Sequence, residues 1–179
     1  MKATGIVRRI DELGRVVIPK EIRRNLRIRE GEPVEIFTGA EGEILIKKHS
    51  PIRELSEHAK ELAESMAQAT ENLVCIADQD HIVAASGPQQ REYLGEVISA
   101  TLGGFIKGCE AKVLEANKQG ISLVVSDKLT YESVVIQPII SAGNTIGVVI
   151  IIGIKTAITE ADVCVAQVAA NFLGKQMED

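Results

Sequence analysis

The 179 residues, 45% apolar and 25% charged, suffice for a small and a medium globular domain, and a net charge of −5 excludes a generally basic protein. Three scattered cysteines (Cys75, Cys109, Cys164) and three scattered histidines (His49, His58, His81) give neither a disulfide framework nor a Cys-x-x-Cys zinc site, and fit a reducing, cytoplasmic compartment. Aromatics at 3% with no Trp argue against base stacking, and no export signal or membrane-length apolar run is visible, 146–154 being about half a span.

Charge is not spread evenly. Residues 1–30 hold nine Lys and Arg against four Asp and Glu, a local charge of +5, which leaves 31–179 at −10. A polyanion would be drawn to the amino-terminal end. Residues 6–10 are extended in character, Asp11-Glu12-Leu13-Gly14 is a turn signal, and Val16-Val17-Ile18 resumes a strand. Pro19 then ends the pairing and suits the first position of a helix. On that helix Lys20, Arg23, Arg24 and Arg27 fall within an arc of roughly 100°, with Ile22 and Leu26 opposite. So short a helix is unstable alone in water, and docking through Ile22 and Leu26 is expected. A second hairpin follows over 34–38 and 43–48, around Gly39-Ala40-Glu41-Gly42. These short elements enclose too little core, which predicts that a second copy of the chain supplies the missing apolar contacts. Asp11, Glu12, Glu21 and Glu30 are too few to make the aligned arginines an ordinary neutral face.

The run TGIVRRIDELGRVVIPKEIRR over 4–24 resembles the DNA-binding domain of the AbrB family of transition-state regulators. The resemblance spans about residues 1–50 and implies a swapped-hairpin β-barrel dimer, mainly β with a short helix, that binds double-stranded DNA. Basic side chains of the family's first strand, loop and helix contact DNA, and the matching positions are Arg8, Arg9, Arg15, Arg23 and Arg24. Arg9 stands where the family often has Lys, which keeps the charge and changes the donor geometry. Such regulators favour DNA shape over a strict base code.

Pro51 closes this head and opens a connecting helix over 51–70. Its stripe of Ile52, Leu55, Ala59, Leu62, Met66 and Ala69 predicts packing on another helix in a bundle. His58, among charged neighbours, is expected to be exposed. From residue 71 the texture is that of an α+β domain. Strands are predicted over 73–77 and 81–86, helices over 90–118 broken near Gly103-Gly104 and Gly108, and strands over 121–126, 133–140 and 145–154. Ser141-Ala142-Gly143-Asn144 is a hairpin connector, and 146–154, apolar on both faces, reads as a central strand. A last helix starts at Thr159, with Asp162 placed for a capping box, and its apolar arc of roughly 220° needs burial on two sides.

This order of elements resembles a GAF domain, making the whole an α/β two-domain chain. The combination of an AbrB-type head and a GAF-like body is similar to a family of sporulation-stage transcription factors. That resemblance implies homodimeric heads and a homotetramer formed through helical bundles of the bodies, each body being either a sensor of an unidentified small-molecule effector or an oligomerisation module that binds nothing. No cofactor, catalytic set or metal-ligand cluster is recognisable. Gly103 and Gly108 have phosphate-loop spacing, but Cys109-Glu110 stands where Lys-Ser/Thr is required. Two other readings compete: an antitoxin with an AbrB-like head, and a GAF-type methionine sulfoxide reductase, which needs cysteines within exchange distance.

Overall fold

The computed structural model describes residues 5–26, 28–40, 42–109, 111–115, 121–126 and 130–177. The chain divides into two compact units, Met1–His49 and Ser50–Asp179.

In the first unit, helix α1 (Lys20–Asn25) follows Pro19, which occupies the capping position rather than the first helical one. Strands β1 (Val34–Thr38) and β2 (Ile44–Lys48) form an antiparallel hairpin in which Val34 faces Lys48 and Thr38 faces Ile44. Lys47 Nζ lies 5.0 Å from the Phe37 ring centroid, covering one face of an otherwise exposed aromatic. The strands expected over 6–10 and 16–18 are not formed. Val7 and Val17 are 87% and 74% exposed, and neither segment carries a regular element or, among the described residues, a strand partner. Ile22 is half-buried, whereas Leu26 is exposed, so the expected docking of α1 is only partial within one chain.

The second unit is built on a five-stranded antiparallel sheet of order β4-β3-β7-β6-β5. The strands are β3 (Leu73–Ala77), β4 (Ile82–Ser86), β5 (Lys112–Glu115), β6 (Ser133–Ser141) and β7 (Asn144–Gly153). Ala142 and Gly143, both at positive φ, make the tight β6–β7 turn at the predicted place. Strand β7 is covered on both sides, as its unbroken apolar run requires. Val149 and Ile151 face helices α2 (Pro51–Glu54), α3 (Ser56–Thr70) and α5 (Glu160–Gln176). Val148, Ile150 and Ile152 join the opposite core, with Tyr93 beside the 3-10 turn Gln90–Glu92, Leu102 and Ile106 of helix α4 (Ala100–Gly108), and Leu123, Val124 and Tyr131.

Several expectations are corrected here. The 51–70 helix is broken at Leu55 into α2 and α3. Of its apolar stripe, Ile52, Ala59 and Met66 are buried against the sheet and α5, Leu55 and Leu62 are half-buried, and Ala69 is exposed. Gly103 and Gly104 lie within α4, the first beside the Ile98 side chain and the second facing open space, and only Gly108 marks its end. Residues 112–115, read as helix, form the edge strand β5, because Val113 and Leu114 pair with the neighbouring β6. The strand expected over 121–126 is reduced to a single bridge from Val124 to Ile98. Helix α5 carries the predicted capping box: the Thr159 side chain accepts the Asp162 N–H while the Asp162 carboxylate accepts the Thr159 N–H.

Candidate nucleic-acid interface

The basic end of the chain is organised around one loop. Asp11 Oδ1 accepts the backbone N–H of Leu13 at 3.0 Å and that of Arg15 at 2.8 Å. The Asp11 N–H reaches the Arg15 carbonyl at 3.1 Å, and the Gly14 N–H closes on the Asp11 carbonyl at 3.0 Å. Gly14 takes φ +74°, a left-handed conformation that a β-carbon would strain. The second carboxylate oxygen, Oδ2, accepts from Arg15 Nε at 2.8 Å. The Arg15 backbone N–H, and after it the Arg15 guanidinium, hold the Asp11 carboxyl below its ordinary value of 3.8.

The five arginines singled out from the sequence occupy three settings. Arg8 and Arg9 lie exposed on the irregular segment before the loop, and Arg15 stands at the loop's end. Arg23 and Arg24 end helix α1, where the carbonyl of Arg23 accepts the Ile28 N–H at 2.8 Å. Arg24 is exposed. Arg23 is half-buried, and its Nε is enclosed without a hydrogen-bond acceptor. Among the described residues, no carboxylate pairs with Arg8, Arg9, Arg23 or Arg24; the head's other ion pairs are Arg29 and Lys48 with Glu32 and His49 with Glu35. Arg27, placed on the same helical arc from the sequence, lies outside the described residues. Free guanidinium groups over a short stretch are what an electrostatic grip on phosphate requires.

A second polar centre lies in the other unit, and no motif in the chain announces it. Asp78, buried in the β3–β4 turn, accepts Ser50 Oγ at 2.8 Å and Arg53 Nε at 3.1 Å on one oxygen. Its other oxygen accepts the N–H groups of Asp80 and His81, each at 2.7 Å. Arg53 and His81 also meet, Nη2 to Nδ1, at 3.2 Å. Ser50 and Arg53 stand at the start of α2, so this carboxylate ties the segment that follows the head to the sheet. Twenty-five residues separate the partners in sequence, a distance over which spacing carries no signal.

Two families match successive stretches of the chain. A family described as stage V sporulation protein T C-terminal, transcription factor, matches residues 54–178. One described as antidote-toxin recognition MazE, bacterial antitoxin, matches residues 7–54. Stage V sporulation protein T of Bacillus subtilis (strain 168) is 44% identical over 178 residues, covering 99% of each chain. The transition state regulatory protein AbrB of the same organism is 57% identical over 51 residues, 28% of this chain and 52% of that one. The GAF domain of an Acinetobacter phosphoenolpyruvate-protein phosphotransferase superposes with a TM-score of 0.59 at 16% identity, over 69% of this chain and 81% of that one, a likeness of fold alone. With an AbrB-like DNA-binding head and a GAF-like body matched along its whole length, the chain belongs to the stage V sporulation protein T family of transcription factors.

Proposed function

We propose that this regulator of sporulation genes grips duplex DNA through Arg8, Arg9, Arg15, Arg23 and Arg24, presented by two paired heads. The observation that carries the reading is the set of guanidinium groups at Arg8, Arg9 and Arg24, exposed and without a carboxylate among the described residues. The same stretch leaves Ile6, Val7, Ile10, Val16 and Val17 uncovered. A second copy placing its own extended segments beside these would bury them and satisfy the unpaired backbone, and it would double the local positive charge. In the bodies, Cys164, Val168 and Phe172 recur at every fourth residue of α5 and are exposed, a stripe suited to pairing with another body. Two head pairs joined in this way would bind neighbouring sites with avidity.

Binding of the full-length chain to duplex DNA across a salt series tests the reading. Each phosphate contact contributes about −0.9 to the slope of log affinity against log salt. Arg24→Ala should weaken binding by about 1–3 kcal/mol if it touches a base, or flatten the slope by about 1 if it touches phosphate. A variant lacking Arg8, Arg9, Arg15 and Arg24 that kept both affinity and slope would overturn the assignment.

The match of 7–54 to an antitoxin family favours a second reading, a toxin's DNA-binding partner. It accounts for the head alone. Purification of the chain with a stoichiometric small toxin would support it.

A further inference from the structure

We infer that Asp11 is a positioning residue for DNA recognition: it holds Arg15 by Nε so that the two outer guanidinium nitrogens are presented as a fixed fork. This rests on the reading of Arg15 as a DNA-contacting residue and assigns how that contact is prepared.

An acidic residue within a cationic stretch is at first sight a cost. Its charge opposes a phosphate backbone, and as an ion pair it is open to solvent, the two side chains being 70% and 42% exposed. Such a pair stabilises a fold very little. What sets Asp11 apart is that one carboxylate engages three donors of one short loop. Oδ1 shapes the backbone through the N–H groups of Leu13 and Arg15, while Oδ2 takes the side chain of the residue whose main chain Oδ1 has just fixed. Backbone and guanidinium of Arg15 are therefore oriented by the same group.

The nitrogen engaged matters. Nε is the inner donor, so a carboxylate there leaves both Nη atoms available. Among the described residues the side chain of Arg15 has no other partner, and it remains largely exposed. Two parallel N–H groups held in a plane match a pair of acceptors in one plane, such as guanine O6 and N7 or two oxygens of a phosphate. Arg8, Arg9 and Arg24 have no comparable anchor and must be ordered on binding. Arg15 has already lost much of that freedom, which is the advantage of preorganisation.

Charge and position predict opposite signs, and this makes the inference testable. Asp11→Asn keeps an Oδ1 acceptor for Leu13 and Arg15 but replaces Oδ2 by an NH2 group, which cannot accept from Nε. Removing a negative charge beside DNA should by itself tighten binding. If Asp11 acts by positioning, full-length Asp11→Asn instead binds an AT-rich duplex and a mixed-sequence duplex about threefold to tenfold more weakly. Its thermal unfolding should match that of the parent chain. Arg15→Ala should lose roughly tenfold or more. In the Arg15→Ala background, Asp11→Asn should no longer weaken binding and should slightly tighten it. A flatter salt slope in Arg15→Ala would assign the fork to phosphate; an unchanged slope with altered base preference in a selected pool would assign it to guanine.

If Asp11→Asn binds as the parent does, or more tightly, while Arg15→Ala weakens binding, the positioning role fails and the DNA contact stands. If Arg15→Ala has no effect on affinity or slope, the contact fails and takes the positioning role with it.

Discussion

Gly174 shows how a single hydrogen atom sets a packing distance. It sits in the last turn of α5, where alanine would ordinarily raise helix stability by about 1 kcal/mol. Here a β-carbon would collide with the backbone carbonyl of Ile140 in β6, an atom that has no rotamer by which to move aside. Gly174→Ala is therefore expected to destabilise the chain by about 1–3 kcal/mol, the cost of overpacking, against the sign of helix propensity. Urea unfolding would read this directly, and an unchanged midpoint would show that α5 can shift on the sheet. The residue is visible in the sequence, but the need for glycine is not, because the Ile140 carbonyl arrives from a strand far away in the chain. Asp11 is the opposite case. Its partners lie within four residues, and the Asp-x-x-Gly-Arg spacing already marks a turn with an arginine at its end.

At the scale of elements, the segments best read from sequence are those whose two ends carry local signals. Helix α5 opens with Thr159 and Asp162, and the β6–β7 hairpin turns on Ala142-Gly143 between two β-branched runs. Helices without such signals depart further from their local pattern. The break at Leu55 and the conversion of 112–115 into an edge strand both follow from contacts made after the chain has folded back on itself. Helix α2 is the clearest example, since it is only one turn long and depends on tertiary anchors. Ile52 is buried against β7 beside Gly147, and Asp78 accepts from both Ser50 and Arg53. Asp78→Ala would leave the half-buried N–H groups of Asp80 and His81 in the β3–β4 turn without this acceptor and free the start of α2. We expect a loss of about 2–4 kcal/mol in stability. Amide hydrogen exchange over 50–55 should accelerate in this variant more than exchange in β7, and uniform acceleration would argue against a local anchor.

For the whole molecule, the deciding quantity is apolar surface that one chain leaves uncovered. The head exposes a run of β-branched residues, and the body exposes Cys164, Val168 and Phe172 on α5. If that stripe joins bodies in the proposed assembly, Phe172→Glu places a charge in its middle and should halve the mass measured by sedimentation at micromolar concentration. Its unfolding midpoint as a monomeric unit should change little, because Phe172 is absent from both internal cores. Loss of linkage between head pairs should then lower affinity for paired DNA sites by about 10²-fold or more while leaving single-site affinity intact. An unchanged mass would remove the stripe from the assembly.

The sequence by itself determined the division into a basic head and an acidic body, the arginines that make the head cationic, the β1–β2 and β6–β7 hairpins and the capped final helix. All of these rest on charge, spacing and turn chemistry within a few residues. Only the tertiary structure decided which face of 51–70 is spent inside its own domain, that 112–115 extends the sheet, and that a buried aspartate anchors the chain just after the head. Those outcomes depend on what arrives from elsewhere in the chain to pair, to fill or to neutralise, and local pattern carries no record of it.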